Sequence, residues 1–292
     1  MSQTSNKSLG IVLISYCPSV ERLYSNLECL SEDRFLKVFI IDSSPLETSE
    51  LIRNYLLNFK KEKSLSFNFI HIKNVGVGFA LNYGAFLAFS NGCELVTIVD
   101  DDAKIIVYPF PTTDVIQFFR KNCNPEKDLL VLPNIHPTDR KTEFWVETGL
   151  TFSKNLFSKI KFREEFILDQ IDSVFCKQVL SQGGKILLYP KQLFESSPVG
   201  RISEGGINHL PNWRLYTLTR NSVAFALETS INPVDLIYSL ALIFQWTSKS
   251  IRSERRLFVI IKCVYFGILD GLLGNLVITR HLQELSGHRF EN

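Results

Sequence analysis

Four short apolar runs separated by helical patterns constrain this chain more than any other feature. They are Gly10–Ser15 (GIVLIS), which is continuous rather than alternating, Lys37–Ile41 (KVFII), Phe67–Ile72 and Leu95–Val99 (LVTIV). Strands that read this way are covered on both faces, as in a parallel sheet. Between them, Pro18-Ser19 opens a helical pattern through Val20, Leu23, Leu27 and Leu30, Leu46–Phe59 carries a second and Ala80–Phe89 a third. Strands alternating with helices imply βαβ units. The expected class is α/β, Rossmann-like, with a mostly parallel central sheet flanked by helices.

Composition narrows the function. With 292 residues, 45% hydrophobic and 21% charged, the chain is neither disordered nor fibrous and has room for one large domain with an appendage. A net charge of +2 is too balanced for a dedicated nucleic-acid binder. Six scattered cysteines without a CxxC pair, and five histidines at no zinc-ligand spacing, predict free thiols. Met1–Gly10 is polar and shows no signal-peptide pattern, so a cytoplasmic location is expected.

Ligands of such sheets bind beyond the carboxyl ends of the strands. The polar residues that follow the four runs are Ser15-Tyr16, Asp42-Ser43-Ser44, Asn74 and Asp100-Asp101-Asp102, and all four groups belong on one edge. Three consecutive acids repel one another unless something neutralises them. In an extended turn Asp100 and Asp102 point the same way and can share a hard divalent cation, Mg²⁺ or Mn²⁺. A solvated acidic turn is the alternative.

The order SY, IIDSSP, NVGVGFALNYG and VTIVDDDA resembles family 2 glycosyltransferases of the GT-A fold, and within them the bacterial rhamnosyltransferase-like group. The resemblance runs from about Gly10 to Gly274. It implies that Asp42 contacts the donor nucleobase with Tyr16 near it, that Asp100 and Asp101 face the ribose and diphosphate, and that Asp102 with Asp100 binds the metal. Asn74 and Gly76 match the family's Asn-x-Gly turn, which continues into a helix containing Asn82 and Gly84.

Glu147-Thr148-Gly149-Leu150-Thr151-Phe152 resembles the strand that floors the acceptor site, which places Thr148 and Gly149 there. Phe166–Cys176 resembles the pattern FIDYVDxEWC and puts Asp172 at the position of the catalytic base, with Asp169 as runner-up on the acceptor side. Val174 stands where the family usually has a second acid. Trp213–Asn221 matches RYYxxRN. Arg220 is the natural diphosphate partner, because a guanidinium grips phosphate bidentately, and Tyr216, four residues earlier, shares its helix face toward the acceptor. Ser197 stands where the family often has a histidine.

From Asn232 the pattern becomes helical and very apolar, which divides the chain into a catalytic domain at 1–231 and C-terminal helices at 232–292. Leu257, Ile260, Ile261, Val264, Tyr265, Ile268 and Leu272 form one stripe, with Lys262 and Asp270 opposite, an amphipathic helix rather than a spanning one. Lys249, Arg252, Arg255, Arg256 and Lys262 against Glu254 suit an anionic membrane surface. Packing on the chain itself or in a homo-oligomer is the alternative.

Together these readings predict a metal-dependent inverting glycosyltransferase. The resemblance implies rhamnose from dTDP-rhamnose as the donor sugar, a lipid-linked or growing cell-surface polysaccharide as acceptor, and a peripheral place on the inner face of the bacterial membrane. A UDP-sugar donor such as UDP-galactofuranose, or a catalytically idle sugar-nucleotide or glycan-binding scaffold, stays open. A nucleotidyltransferase needs a glycine-rich basic loop that Ser15-Tyr16-Cys17-Pro18 lacks.

Overall fold

The computed structural model describes residues 8–31, 35–62, 67–134, 148–196, 201–202, 208–228, 233–253, 257–277 and 280–286. The predicted alternation is present: β1 (Ser8–Ser15), α1 (Val20–Leu30), β2 (Leu36–Asp42), α2 (Leu46–Glu62), β3 (Phe67–His71), α3 (Val77–Ser90) and β4 (Cys93–Asp100). Ser19 caps α1 by accepting the Arg22 backbone N–H, as a serine before an apolar helix pattern should. Then come β5 (Ala103–Ile105), α4 (Thr112–Asn122), β6 (Leu129–Val131), β7 (Leu150–Ser153), α5 (Lys154–Lys159) and a 3-10 turn at Glu164–Phe166. The chain continues with α6 (Ile171–Ser181), β8 (Ile186–Leu188), β9 (Phe194–Ser196), β10 (Arg201–Ile202) and β11 (Asn208–His209). Four helices close the described chain: α7 (Asn212–Glu228), α8 (Pro233–Ser253), α9 (Leu257–Leu272) and α10 (Arg280–Ser286).

The central sheet has seven strands in the order β3-β2-β1-β4-β7-β6-β8. The β3-β2-β1-β4 block and the β6–β8 pair are parallel, whereas β7 runs antiparallel to both β4 and β6. The α/β class with a C-terminal helical extension is therefore what the chain adopts.

Two compact units emerge. The first comprises Met1–Lys73, Ala80–Phe162 and Phe175–Ser197; the second Asn74–Phe79, Arg163–Val174 and Pro198–Asn292. In the first, the buried faces of β1, β2 and β4 join α1, α2 and α4 in one apolar core. Phenylalanine, used 23 times, fills a second cluster. Phe162 stacks on Phe175 with centroids 4.3 Å apart, and fully buried Phe152 touches both as well as Phe89 and Phe157.

In the second unit α7 is the hub, with α8, α9 and α10 packed on it. The apolar stripe of α9 divides: Ile260 is buried and Val264 half-buried, whereas Leu257, Ile261, Tyr265, Ile268 and Leu272 are exposed, and Asp270, read as a polar-side residue, is itself buried. The reason is backbone proximity. A Cβ on Gly267 would lie 2.9 Å from the Tyr216 carbonyl, and one on Gly271 2.6 Å from the Arg220 carbonyl. The small face of α9 (Cys263, Gly267, Gly271) therefore seats on α7 and turns the larger residues outward. Asp270 is accommodated by hydrogen bonds from Tyr216 Oη (2.6 Å), His281 Nδ1 (3.1 Å) and Asn275 Nδ2 (3.2 Å). Burial raises its pKa, but these partners outweigh burial and hold the carboxyl below its ordinary range.

Phe152→Ala empties the centre of the aromatic cluster and is expected to cost about 3–5 kcal/mol. A urea titration checks this; a midpoint unchanged from wild type contradicts the packing described.

Candidate functional site

In the first unit the parallel register does the positioning. Ser15, Asp42 and His71 are register partners across β1, β2 and β3, and Ile14 on β1 is paired with Asp100 at the end of β4. Asp42 is fully buried. Its Oδ1 accepts from Ser15 Oγ (3.0 Å) and Ser44 Oγ (2.7 Å). Its Oδ2 lies 3.6 Å from His71 Nδ1 and has no hydrogen-bond partner. A buried carboxylate oxygen left this way retains unused acceptor capacity. Ser44 also accepts the Cys17 N–H at 2.7 Å, which ties the loop after β1 to the loop after β2.

The acidic turn is ordered asymmetrically. Asp101 points inward, and its Oδ2 accepts the Tyr16 backbone N–H at 2.7 Å. Burial pushes the Asp101 carboxyl up to about 6, and the Asp102 and Asp42 carboxylates push the same way; the Tyr16 N–H and Arg22 oppose them. Arg22 Nη1 donates to the Asp102 carbonyl at 2.7 Å, and Asp102 itself is exposed. The Asp100 N–H donates to Thr148 Oγ1 at 3.1 Å, and the Gly149 N–H to the Ile98 carbonyl at 2.8 Å. Tyr16, Asp42, Asp100, Asp101, Thr148 and Gly149 are thus gathered at one sheet edge. Glu147 and Ser197 lie outside the described residues.

Among the described residues no three or more His, Cys, Asp or Glu side chains gather into a metal cage. Mg²⁺, however, uses one or two protein carboxylates and fills its shell with water and phosphate oxygens. Burial is the main cause that raises Asp101, with the Asp102 and Asp42 carboxylates adding to it; three successive acids on one turn leave negative charge that fits a cation on Asp102 and Asp100.

The second unit holds the other candidates. The Asn74–Gly78 turn packs on the segment before α6: the Val77 N–H donates to the Ile167 carbonyl at 2.6 Å. Gly76 has φ +119°, and a Cβ there would sit 2.9 Å from Ile167 Cα, so glycine is required on both counts. The loop it meets is strained, with Ile167, Asp169 and Gln170 all at positive φ (57°, 47° and 65°).

Asn221 holds that loop. Its fully buried amide nitrogen donates to the carbonyls of Phe166, Leu168 and Asp169. The Asp169 carboxylate is pinned by Arg214 (Nη2 3.1 Å, Nε 3.3 Å) and by Thr217 Oγ1 at 3.4 Å. Asp172 follows as the second residue of α6, half-buried in the helix's first turn.

Tyr216 and Arg220 share a face of α7 as their spacing requires, but that face is inside the unit. Tyr216 is fully buried on Asp270. Arg220, also fully buried, donates from Nη1 to the Val277 carbonyl (3.0 Å) and from Nε to Asn221 Oδ1 (3.1 Å), while Nη2 is unpartnered. Burial lowers its pKa against the pull of Tyr216, Asp270 and Asp169. In this arrangement neither side chain has surface to offer a diphosphate or an acceptor. Ser44 was expected at this edge; the roles of Arg22, of Arg214 and of Asn221 as a clamp were not anticipated. Arg214 and Asn221 had a signal, their place in the RYYxxRN-like stretch.

Two measurements test this geometry. The folded chain keeps the Asp101 proton up to about pH 6, whereas the unfolded chain releases it around 3.8. The native state therefore binds more protons in that window, and stability falls as pH rises through it, by roughly 3 kcal/mol. Asp101→Asn is expected to remove that slope and to be the more stable protein at neutral pH; an unchanged slope in chemical denaturation refutes the burial. Asn221→Ala leaves three loop carbonyls without their donor and is expected to cost about 2–4 kcal/mol. Wild-type stability in that variant rules out the clamp.

No protein-family model matches the chain, and no curated protein matches it in sequence. Among solved structures, it is similar to a mannosyltransferase from Pyrobaculum calidifontis in complex with GDP-Man and Mn²⁺. The identity is 15% and the TM-score 0.51, over 98% of this chain and 85% of that one. A putative glucose-1-phosphate thymidylyltransferase from Bacillus anthracis, in complex with a sucrose, is 13% identical with a TM-score of 0.40, over 65% of this chain and 89% of that one. That second likeness is too low to carry an argument. The chain has the α/β fold of the Pyrobaculum calidifontis enzyme.

Proposed function

We propose that this chain is a metal-dependent inverting glycosyltransferase acting on a nucleotide-sugar donor. One observation carries the reading: buried Asp42 with its serine partners and the Asp100–Asp102 turn meet at the carboxyl edge of a parallel sheet, in a fold shared with a sugar-transferring enzyme. By resemblance the donor nucleobase lies at Asp42 and Tyr16; the Asp42 carboxylate is fully buried, held by Ser15 and Ser44 with His71 3.6 Å from its Oδ2. Asp100, Asp101, Asn74 and Gly76 belong to the ribose and diphosphate side, and Thr148 and Gly149 to the acceptor floor.

Asp172 is the general base. It takes the proton of an acceptor hydroxyl as that oxygen bonds to the anomeric carbon and the bond to the diphosphate breaks, so one displacement inverts the centre. Asp169, held by Arg214, sets the loop that leads to Asp172. Asp102 and Asp100 would hold Mg²⁺ or Mn²⁺, which when bound offsets charge on the departing diphosphate. Tyr216 and Arg220 act by holding the second unit together. By resemblance the sugar is rhamnose from dTDP-rhamnose, with UDP-galactofuranose as the other donor, and the acceptor a lipid-linked glycan at the inner face of the membrane.

Nucleotide release from dTDP-rhamnose, UDP-galactofuranose and GDP-mannose, with and without Mn²⁺ and a lipid-linked acceptor, tests the proposal. Mn²⁺-dependent turnover of one donor is expected. Asp172→Asn should lower turnover about a thousandfold with donor binding kept. Full turnover in that variant removes Asp172 as base; donor binding without turnover in wild type makes the chain an idle binder.

A further inference from the structure

We infer that the outer faces of α8 and α9 form a docking surface for an anionic lipid bilayer, onto which the chain lies without crossing it. The inference makes specific the membrane part of the reading above and is independent of the transfer chemistry. It starts from apolar surface left over after packing. Both helices pack on α7 through part of their apolar surface, Leu242 and Trp246 on α8 and Ile260 and Cys263 on α9, and leave other large apolar side chains outside. Phe244 is 74% exposed, Phe258 78%, Ile237 66%, Tyr265 62%, Leu272 57% and Ile261 55%. Along α8, Ile237 and Phe244 are two turns apart; along α9, Phe258, Ile261, Tyr265 and Leu272 recur at helical spacing, so each helix presents one continuous apolar face. Surfaces of this kind mark interaction sites in folded proteins.

The charges decide what covers it. α8 and α9 hold one acid each, Asp235 and Asp270, and both are buried (5% and 4% exposed). Their cations stay outside: Arg252 and Lys262 are exposed, and half-buried Lys249 rests its ammonium 4.3 Å from the Trp246 ring. The surface is therefore apolar and aromatic with positive charge and no exposed acid on either helix. A two-fold contact with a second copy would set this face against itself, cation to cation, with nothing on it to compensate. A bilayer with anionic headgroups supplies both missing halves, an apolar phase for the rings and negative charge for the cations. Among the described residues no helix is long and apolar enough to cross a membrane, so the helices lie in the interface plane.

The test is co-sedimentation of the full chain with vesicles of phosphatidylcholine alone and of phosphatidylcholine mixed with phosphatidylglycerol. Binding is expected to the mixed vesicles, to weaken with added salt, and to be far less on phosphatidylcholine. Phe244→Ser with Phe258→Ser should lower the partition at least about tenfold. Arg252→Glu with Lys262→Glu should lower it about tenfold on mixed vesicles only. Phe86→Ser, 62% exposed in the first unit, should change nothing. All these side chains are exposed, so unchanged circular dichroism and melting confirm that the variants fold. Absent binding to mixed vesicles, or binding indifferent to the double phenylalanine variant, overturns the inference. So does sedimentation velocity showing a dimer that the same variant dissolves, because a second copy then covers the face. Nucleotide release on a soluble acceptor is read separately, so failure here leaves the transfer reading standing.

Discussion

Parallel pairing of β2 and β4 on either side of β1 is the constraint from which the candidate site follows. Parallel strands bring all their carboxyl ends to one edge, so Ser15, Asp42 and Asp100 arrive together although they are far apart in sequence. A carboxylate delivered to the buried part of that edge must be hydrogen-bonded, and Ser15 and Ser44 are placed to do so. The next acids cannot all be satisfied in the same way. Asp101 takes the Tyr16 amide and is disfavoured as an anion chiefly by burial, while the successive acids Asp100 to Asp102 leave the edge short of positive charge. That shortage, rather than any preformed cage, makes a divalent cation fit there.

The second unit rests on a different device. A buried helix, α7, carries Arg214, Thr217, Arg220 and Asn221, and each is used for holding. Arg214 and Thr217 fix the Asp169 carboxylate, and Asn221 fixes the carbonyls of a loop in which three non-glycine residues have positive φ. Strain of this sort persists only where the surroundings over-determine it. Arg220 links Asn221 to the carbonyl of Val277 beyond α9, so the loop before Asp172 and the C-terminal segment hang on neighbouring residues of one helix.

The first half of the fold was legible because its signals are local. Continuous apolar runs become β1 to β4 with ends shifted by one or two residues, and Ser19 caps α1 where the pattern begins. The strand-end acids were legible for the same reason, since topology alone collects them. The orientation of Asp101 and the part played by Arg22 were not, because they depend on the Tyr16 backbone and on a helix lying across the turn. For α9 hydropathy alone left open whether a membrane or the chain itself covers the Leu257–Leu272 stripe. The side that packs is decided by Gly267 and Gly271, whose missing side chains admit the α7 backbone. Arg220 misled by chemistry: a guanidinium suits phosphate, yet its surroundings enclose it.

The central claim is that the carboxyl edge of the first unit binds a sugar nucleotide with a divalent cation. Calorimetric titration of the full chain with dTDP, UDP and GDP, with and without Mn²⁺, tests it most directly. The account predicts that one nucleotide binds, that Mn²⁺ strengthens the binding, and that Asp102→Asn removes the metal's contribution. Absence of binding by all three, or binding indifferent both to Mn²⁺ and to Asp102→Asn, contradicts it.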